Sequence, residues 1–296
     1  MTWTGRLLMT LLSLPTTCFS DRDPVDNHSS NPLTSQQLKS GEALLLSLPC
    51  PSDKCTVAFD GNDIAVHPHP KNPGQSLVVI ATPLDTTVSA KRKLVTMTMP
   101  DGGNLPSIEL ETIEPDYPVE PLSVNPDLVT PPEHALERIN KERTEIANAL
   151  KAKNPHQPLT SGFIEPVPLR KVTSPFGIRR LYNEQLKGRH TGVDLRAAEG
   201  TPVQAPHDGK VKMAQSNWYT GGHIVLEHGW GVSSSYFHLS DIQVNVGDTV
   251  SQGQKIALTG ASGRVTGPHL HWGIHVNGTP VNPLQFMADS TLLFSP

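Results

Sequence analysis

Long apolar runs are missing from this 296-residue chain. Apart from a short stretch in the first twenty residues, nothing nears the roughly 20 apolar residues that a bilayer-spanning helix needs. No stable membrane span is therefore expected. Long runs of like charge are missing as well, which removes the usual case for nucleic acid. The net charge of −4 is uneven. Residues 1–158 carry 13 Lys+Arg against 19 Asp+Glu, a net of −6, and residues 159–296 carry 11 against 9, a net of +2. An anionic polymer would meet the second half more readily, but the bias is small. Aromatic residues are scarce at 5% while prolines number 28, a balance that points to strands, loops and extended connectors. A His-Glu-x-x-His helix is absent too, so a metallopeptidase of that design is excluded.

Cysteine is nearly absent, and its three copies divide unequally. Residues 1–20 have the anatomy of a secretory signal: Arg6, an apolar core from Leu7 to Leu14, then small residues at Cys18 and Ser20. Cleavage after Ser20 removes Cys18 and leaves Cys50 and Cys55, a local pair expected to close a turn as a disulfide in an exported chain. A lipoprotein would instead keep Cys18 as its first residue, but Leu14-Pro-Thr-Thr before it suits that poorly. The expected location is periplasmic or secreted.

The rest of the chain divides by pattern. Residues 21–37 are polar and expected to be a disordered lead-in. Residues 38–115 alternate short apolar runs with turn signals and read as a small, sandwich-like N-terminal β domain. Strands are expected at 43–48, 56–59, 64–67, 77–82 and 94–99. His67-Pro-His69-Pro reads as a surface loop, because strand interiors exclude such prolines. Residues 116–159 hold a Pro- and acid-rich connector and one helix. Thr130 is expected to cap it, with Pro131 at its first position and Glu133 completing a capping box. Its apolar stripe would be Leu136, Ile139, Ile146, Ala147 and Leu150. Residues 160–296 are rich in glycine and strand signals, which argues for an antiparallel sheet with a groove. The fold class is thus mainly β.

The chemistry concentrates in Gly267-Pro-His269-Leu-His271-Trp272-Gly273. In a strand, residues i and i+2 share a face, so two imidazoles would aim at one point. His190-Thr-Gly-Val-Asp194 and Tyr236-Phe-His238 add two histidines and a carboxylate. A hydrolytic zinc site needs three protein ligands and one position for water. Two imidazoles and one carboxylate leave a residual charge of +1, which acidifies water and polarises a carbonyl. Three of the five residues can bind metal while two histidines serve the chemistry.

Those three motifs resemble the lysostaphin/LytM-type zinc peptidases of family M23. The resemblance runs over about residues 168–288 and extends to Ser174-Pro-Phe-Gly-Ile-Arg179, Gly200-Thr-Pro-Val, Asp208-Gly-Lys-Val and His228-Gly-Trp-Gly. It implies one Zn2+ per chain on His190, Asp194 and His271, with His238 and His269 as the catalytic histidines, one activating water and one steadying the oxyanion. It implies a LytM/M23-type groove in residues 160–296 and bacterial peptidoglycan as partner. The β domain, connector helix and peptidase follow one another as in Gram-negative M23 enzymes, which implies a DD-endopeptidase acting on D-Ala–meso-diaminopimelate cross-links. A glycyl-glycine bond is the runner-up. The alternative from another class is an inactive M23-like module that binds wall or activates an amidase; such modules usually lack a ligand, and all three are kept here. A lipoyl or biotinyl carrier, suggested by the spacing in Val244–Ile256, lacks its modifiable Lys. His223 stands where the family pattern leads one to expect Asn or a similar polar residue. His275 is expected to be a partly exposed strand residue, and His207 and His228 to be structural.

Overall fold

In a computed structural model, residues 34–84, 92–151, 157–168 and 171–295 are described. The expected signal segment and most of the expected lead-in, residues 1–33, lie outside them. The first eight strands are β1 (Thr34–Lys39), β2 (Ala43–Leu48), β3 (Thr56–Phe59), β4 (Asn62–Ile64), β5 (His67–Pro68), β6 (Ser76–Ala81), β7 (Arg92–Thr98) and β8 (Asn104–Ile113). They form two sheets, ordered β1-β8-β7-β3-β4 and β2-β6-β5. β2 and β6 are apolar at almost every position, and both their faces are covered. Leu46, Leu48, Val78 and Ile80 pack with Val57, Val95 and Leu110 of the larger sheet. Ala43, Leu45, Leu77 and Val79 pack the other way, into the core of the C-terminal half. A continuous apolar run is the expected signature of a strand buried on two sides. Cys50 and Cys55 form the expected disulfide between β2 and β3.

Three expectations are corrected here. Residues 34–37 are not lead-in: they form part of β1, whose backbone pairs in parallel with β8, so a ladder rather than an apolar core orders this polar segment. His67 and His69 are not on an exposed loop; they are 2% and 8% exposed. His67 stacks on Trp230 of the distant C-terminal half at 5.1 Å, a cover that local sequence could not report. His69 Nδ1 accepts from the backbone N–H groups of Lys71 and Asn72, capping a turn.

The third concerns the helix. The connector adds β9 (Val119–Leu122), a 3-10 turn at Pro126–Leu128 and α1 (Glu133–Leu150). α1 has Pro132 at its N-cap and no side-chain cap, so the Thr130 capping box does not form. Pro131 precedes another proline, which disfavours helical backbone there. The Thr130 N–H is already taken by the carbonyl of Pro126. The buried face is Ala135, Ile139, Glu142 and Ala149, while Leu136 is 43% exposed. Glu142 turns inward because Oε2 accepts from the Trp218 N–H at 2.7 Å and Oε1 from Arg138 Nε at 2.6 Å.

The C-terminal half contains β10 (Val172–Ser174), β11 (Arg179–Tyr182), β12 (Gln185–Arg189), β13 (Val193–Leu195), β14 (Pro202–Gln204), β15 (Gly209–Asn217), β16 (Gly221–Gly229), β17 (Val232–Ile242), β18 (Thr249–Val250), β19 (Lys255–Thr259), β20 (Leu270–Val276), β21 (Thr279–Val281) and α2 (Pro283–Phe294). Its main sheet is antiparallel in the order β10-β13-β20-β17-β16-β15-β18. α1 lies against β15 and β16 through Ala149, Met213 and Val225. α2 starts on an Asn282 cap and a first-turn proline. Its Gln285 exchanges hydrogen bonds with the backbone of Ala43, tying β2 to the C-terminal half. β11 also pairs in parallel with β9, in a three-stranded sheet β12-β11-β9 that joins the connector to the C-terminal half.

Candidate metal centre

Antiparallel register assembles the centre. β13 and β20 set Asp194 directly opposite His271, and β17 sets Phe237 on the other flank of His271. Phe237 stacks on the His271 ring, centroids 4.3 Å apart. His190 precedes β13 and is pinned by backbone bonds of 2.8 Å to Gly177 and Ile178. Three donor atoms then meet in a triangle. His190 Nε2 lies 3.0 Å from Asp194 Oδ1 and 2.9 Å from His271 Nδ1, and His271 Nδ1 lies 2.9 Å from Asp194 Oδ1. All three residues are buried.

Proton bookkeeping shows what such a triangle suits. His190 Nδ1 sits 2.8 Å from the carbonyl of Pro175, so Nδ1 carries a hydrogen and Nε2 is the ring nitrogen that faces the other two donor atoms. An ionised carboxylate only accepts. Burial pushes His271 down to about 4, against the opposing pull of Asp194, so its imidazole is neutral near pH 7. At most two hydrogens, one per imidazole nitrogen, fit inside the triangle, so its three contacts cannot each have a hydrogen bond of their own. A cation satisfies all three lone pairs at once, and two imidazoles with a carboxylate suit zinc. The other nitrogen of His271, Nε2, has no partner among the described residues.

Two more imidazoles stand beside the triangle. His238 donates from Nδ1 to the Ser262 carbonyl, and His269 from Nδ1 to the Gly267 carbonyl, each at 2.8 Å. Both therefore keep Nε2 for the cleft. Their ring centroids are 4.8 Å apart, and His269 Nε2 is 3.6 Å from Asp194 Oδ1. Burial, then the neighbouring His269 and His271, holds His238 well below the usual imidazole range. The His238 backbone has φ of 65°, a left-handed conformation that is costly for a non-glycine residue. The structure thus brings together all five residues singled out from the sequence. His269 lies just before β20 rather than in it, bridged to Gly260.

Residues 188–283 match the profile of peptidase family M23. They form a domain of that family. Peptidoglycan DD-endopeptidase ShyA of Vibrio cholerae is 42% identical over 116 residues, which is 39% of this chain and 27% of that protein. The DD-carboxypeptidase/endopeptidase Mpg of Neisseria meningitidis is 40% identical over 125 residues, 41% of this chain and 28% of that one. The chain thus spans about a quarter of the length of these curated relatives. The crystal structure of a candidate M23 peptidase from Pseudomonas aeruginosa is similar over more of the chain. It covers 85% of this chain and 95% of that one at a TM-score of 0.65 and 25% identity.

The M23 domain surrounds its donor triangle with groups that the sequence reading missed. Arg180 on β11 donates to Asp194 Oδ2 and to Ser174 Oγ, and its Nε lies 3.3 Å from Glu120 Oε2 on β9. Ser174 Oγ donates to the same Glu120 oxygen at 2.8 Å. A charge-assisted clamp thus fixes the carboxylate from behind. The motif Ser174-Pro-Phe-Gly-Ile-Arg179 draws attention to the wrong arginine: Arg179 is exposed. Strand alternation would have separated the two, since Arg180 shares a face with buried Tyr182. His275 also needs correcting. It is 6% exposed, not partly exposed, because β21 and β17 flank it on both sides. His207 and His228 are structural as expected, each donating from Nδ1 to the Asp208 carbonyl. A cleft of about 230 Å3 opens beside the centre, lined in part by His238, His269, Asp194, Arg180, Tyr182 and Arg264.

Proposed function

We propose that this chain is an exported zinc metalloendopeptidase that hydrolyses peptide cross-links in bacterial peptidoglycan, the D-Ala–meso-diaminopimelate bond first among them. The observation that carries this reading is the triangle of His190 Nε2, Asp194 Oδ1 and His271 Nδ1 with two Nε2-free histidines beside it. Its substrate class is supported by relatives named as peptidoglycan DD-endopeptidases. On this reading residues 160–296 are the peptidase, and residues 34–115 are a β unit that packs against it and is joined to it by 116–159. The signal segment would deliver the chain to the periplasm or beyond. No helix among the described residues is long and apolar enough to cross a membrane.

Zinc bound at the triangle would supply Lewis acidity, acidifying water and polarising the scissile carbonyl. The protein's own groups do the rest. Arg180 and the Pro175 carbonyl hold Asp194 and His190 in their ligand orientations. His238 and His269 divide two tasks: one takes the water's proton at Nε2, and the other donates an Nε2–H to the developing oxyanion. Burial keeps His238 neutral at neutral pH, so its Nε2 lone pair is not already occupied by a proton. An inactive binding module is the weaker reading, since the donor set is complete.

The test is zinc content by mass spectrometry together with muropeptides released from purified diaminopimelate-type sacculi. Zinc near one per chain and cleavage between D-Ala and diaminopimelate are expected. A zinc-free chain that leaves sacculi intact would overturn the proposal.

A further inference from the structure

The cleft beside the donor triangle contains two guanidinium groups with different fates. Arg180 is spent internally on Asp194, Ser174 and Glu120. Arg264 is not. Among the described residues no carboxylate lies within ion-pair distance of it, and its guanidinium makes one hydrogen bond, from Nη1 to the Leu128 carbonyl at 3.3 Å. Glu120, the other acid of the cleft, is already committed to Arg180 and Ser174. Arg264 is therefore the uncompensated positive charge on the cleft wall that also presents His238 and His269.

Its placement is built, not incidental. The guanidinium carbon sits 4.0 Å from the Tyr182 ring centroid and 4.7 Å from that of Tyr219. The Arg264 N–H donates to the Tyr219 carbonyl at 2.8 Å. Gly263 makes that approach possible: its φ is 77°, and a Cβ there would meet Gly221 N at 2.4 Å. Aromatic faces leave the edge of a guanidinium available for planar, bidentate hydrogen bonding. Because the rotamer is already restrained, ligand binding costs little additional side-chain entropy.

We propose that Arg264 is a specificity-determining residue that binds a substrate carboxylate next to the scissile amide. This rests on the peptidase reading above, where the cross-link carries a free carboxylate on the diaminopimelyl residue. The Nε and Nη2 edge of Arg264 takes that carboxylate in a paired hydrogen bond and so sets the register of the peptide against His238 and His269. A latch role alone, through Leu128 and the two tyrosines, would be indifferent to substrate charge.

The test uses the full chain, its Arg264→Ala and Arg264→Lys variants, and two cross-linked muropeptides that differ only in amidation of that carboxylate. Amidation is expected to lower wild-type kcat/KM by about 10- to 100-fold. Arg264→Ala should lose a similar factor on the free acid, keep its zinc, and no longer distinguish acid from amide; Arg264→Lys should fall between. Binding of both muropeptides to His269→Ala, with and without Arg264→Ala, is measured in parallel by calorimetry, so the answer does not depend on turnover. Absence of turnover by wild type on both substrates counts against the peptidase reading. Equal binding of acid and amide, or the same acid-to-amide ratio in Arg264→Ala as in wild type, overturns the role of Arg264.

Discussion

Gly192 offers a sharp test of how the metal centre is packed. It lies between His190 and Asp194, and its backbone does not need a positive φ. What it needs is the lack of a side chain. A Cβ at this position would lie 2.5 Å from the Trp272 carbonyl oxygen and 2.6 Å from His271 Nε2. Ordinary Cβ contacts begin at 3.4 Å, so Gly192→Ala must push β20 and the His271 ring away by roughly 0.8–0.9 Å. Overpacking of this kind costs about 1–3 kcal/mol, equivalent to a fall in melting temperature of about 2–12 °C. The same displacement moves one of three ligands out of line, which should weaken zinc about 10- to 100-fold. The control is Gly267→Ala. Gly267 belongs to the Gly-Pro-His-Leu-His signature, yet a Cβ there meets nothing within 4 Å. It should melt within about 0.5 kcal/mol of the parent. Thermal melts with and without zinc, plus competition against a chelator, give both numbers. If Gly192→Ala melts and binds zinc like the parent, or if Gly267→Ala is equally damaging, the steric account is wrong.

Other outcomes follow from the same geometry. Asp194→Ala should lose zinc, since the anionic ligand goes and Arg180 loses one of its two carboxylates; His269→Ala should keep zinc while kcat falls by about 10²- to 10⁴-fold. Zinc retained by the first variant, or activity by the second, would reverse the assigned roles. Burial pushes His228 to about 3, below its unfolded value of about 6.5. The unfolded chain therefore binds more protons below that value. The stability from neutral His228 is present above pH ~6.5 and is lost as pH falls towards 3, at up to about 1.4 kcal/mol per pH unit. His228→Asn should flatten the pH dependence of denaturant midpoints in that window, and an unchanged slope would exclude the effect. Cys50 and Cys55 are five residues apart in sequence, so loop-closure entropy predicts a loss of about 2 kcal/mol for the double Ala variant, read by urea titration.

Much of the centre was legible because its parts are local. His269 and His271 are two residues apart, and His190 and Asp194 four, so short motifs carry most of the geometry. The main strands were legible for the same reason: Ala43–Leu48 and Lys255–Thr259 coincide with single apolar runs. Misreadings fell where the deciding partner was remote. His67 is buried by Trp230, and α1 turns Glu142 rather than Leu136 inward because the Trp218 N–H waits there.

The amino-acid sequence alone determined the donor set, because two imidazoles, a carboxylate and two spare imidazoles define a chemistry wherever they meet. Only the tertiary structure decided how Asp194 is held and which arginine faces the cleft with its charge free. Arg180 reaches Glu120 sixty residues away, through parallel pairing of β9 with β11. Such pairing depends on long-range register, which no local pattern encodes.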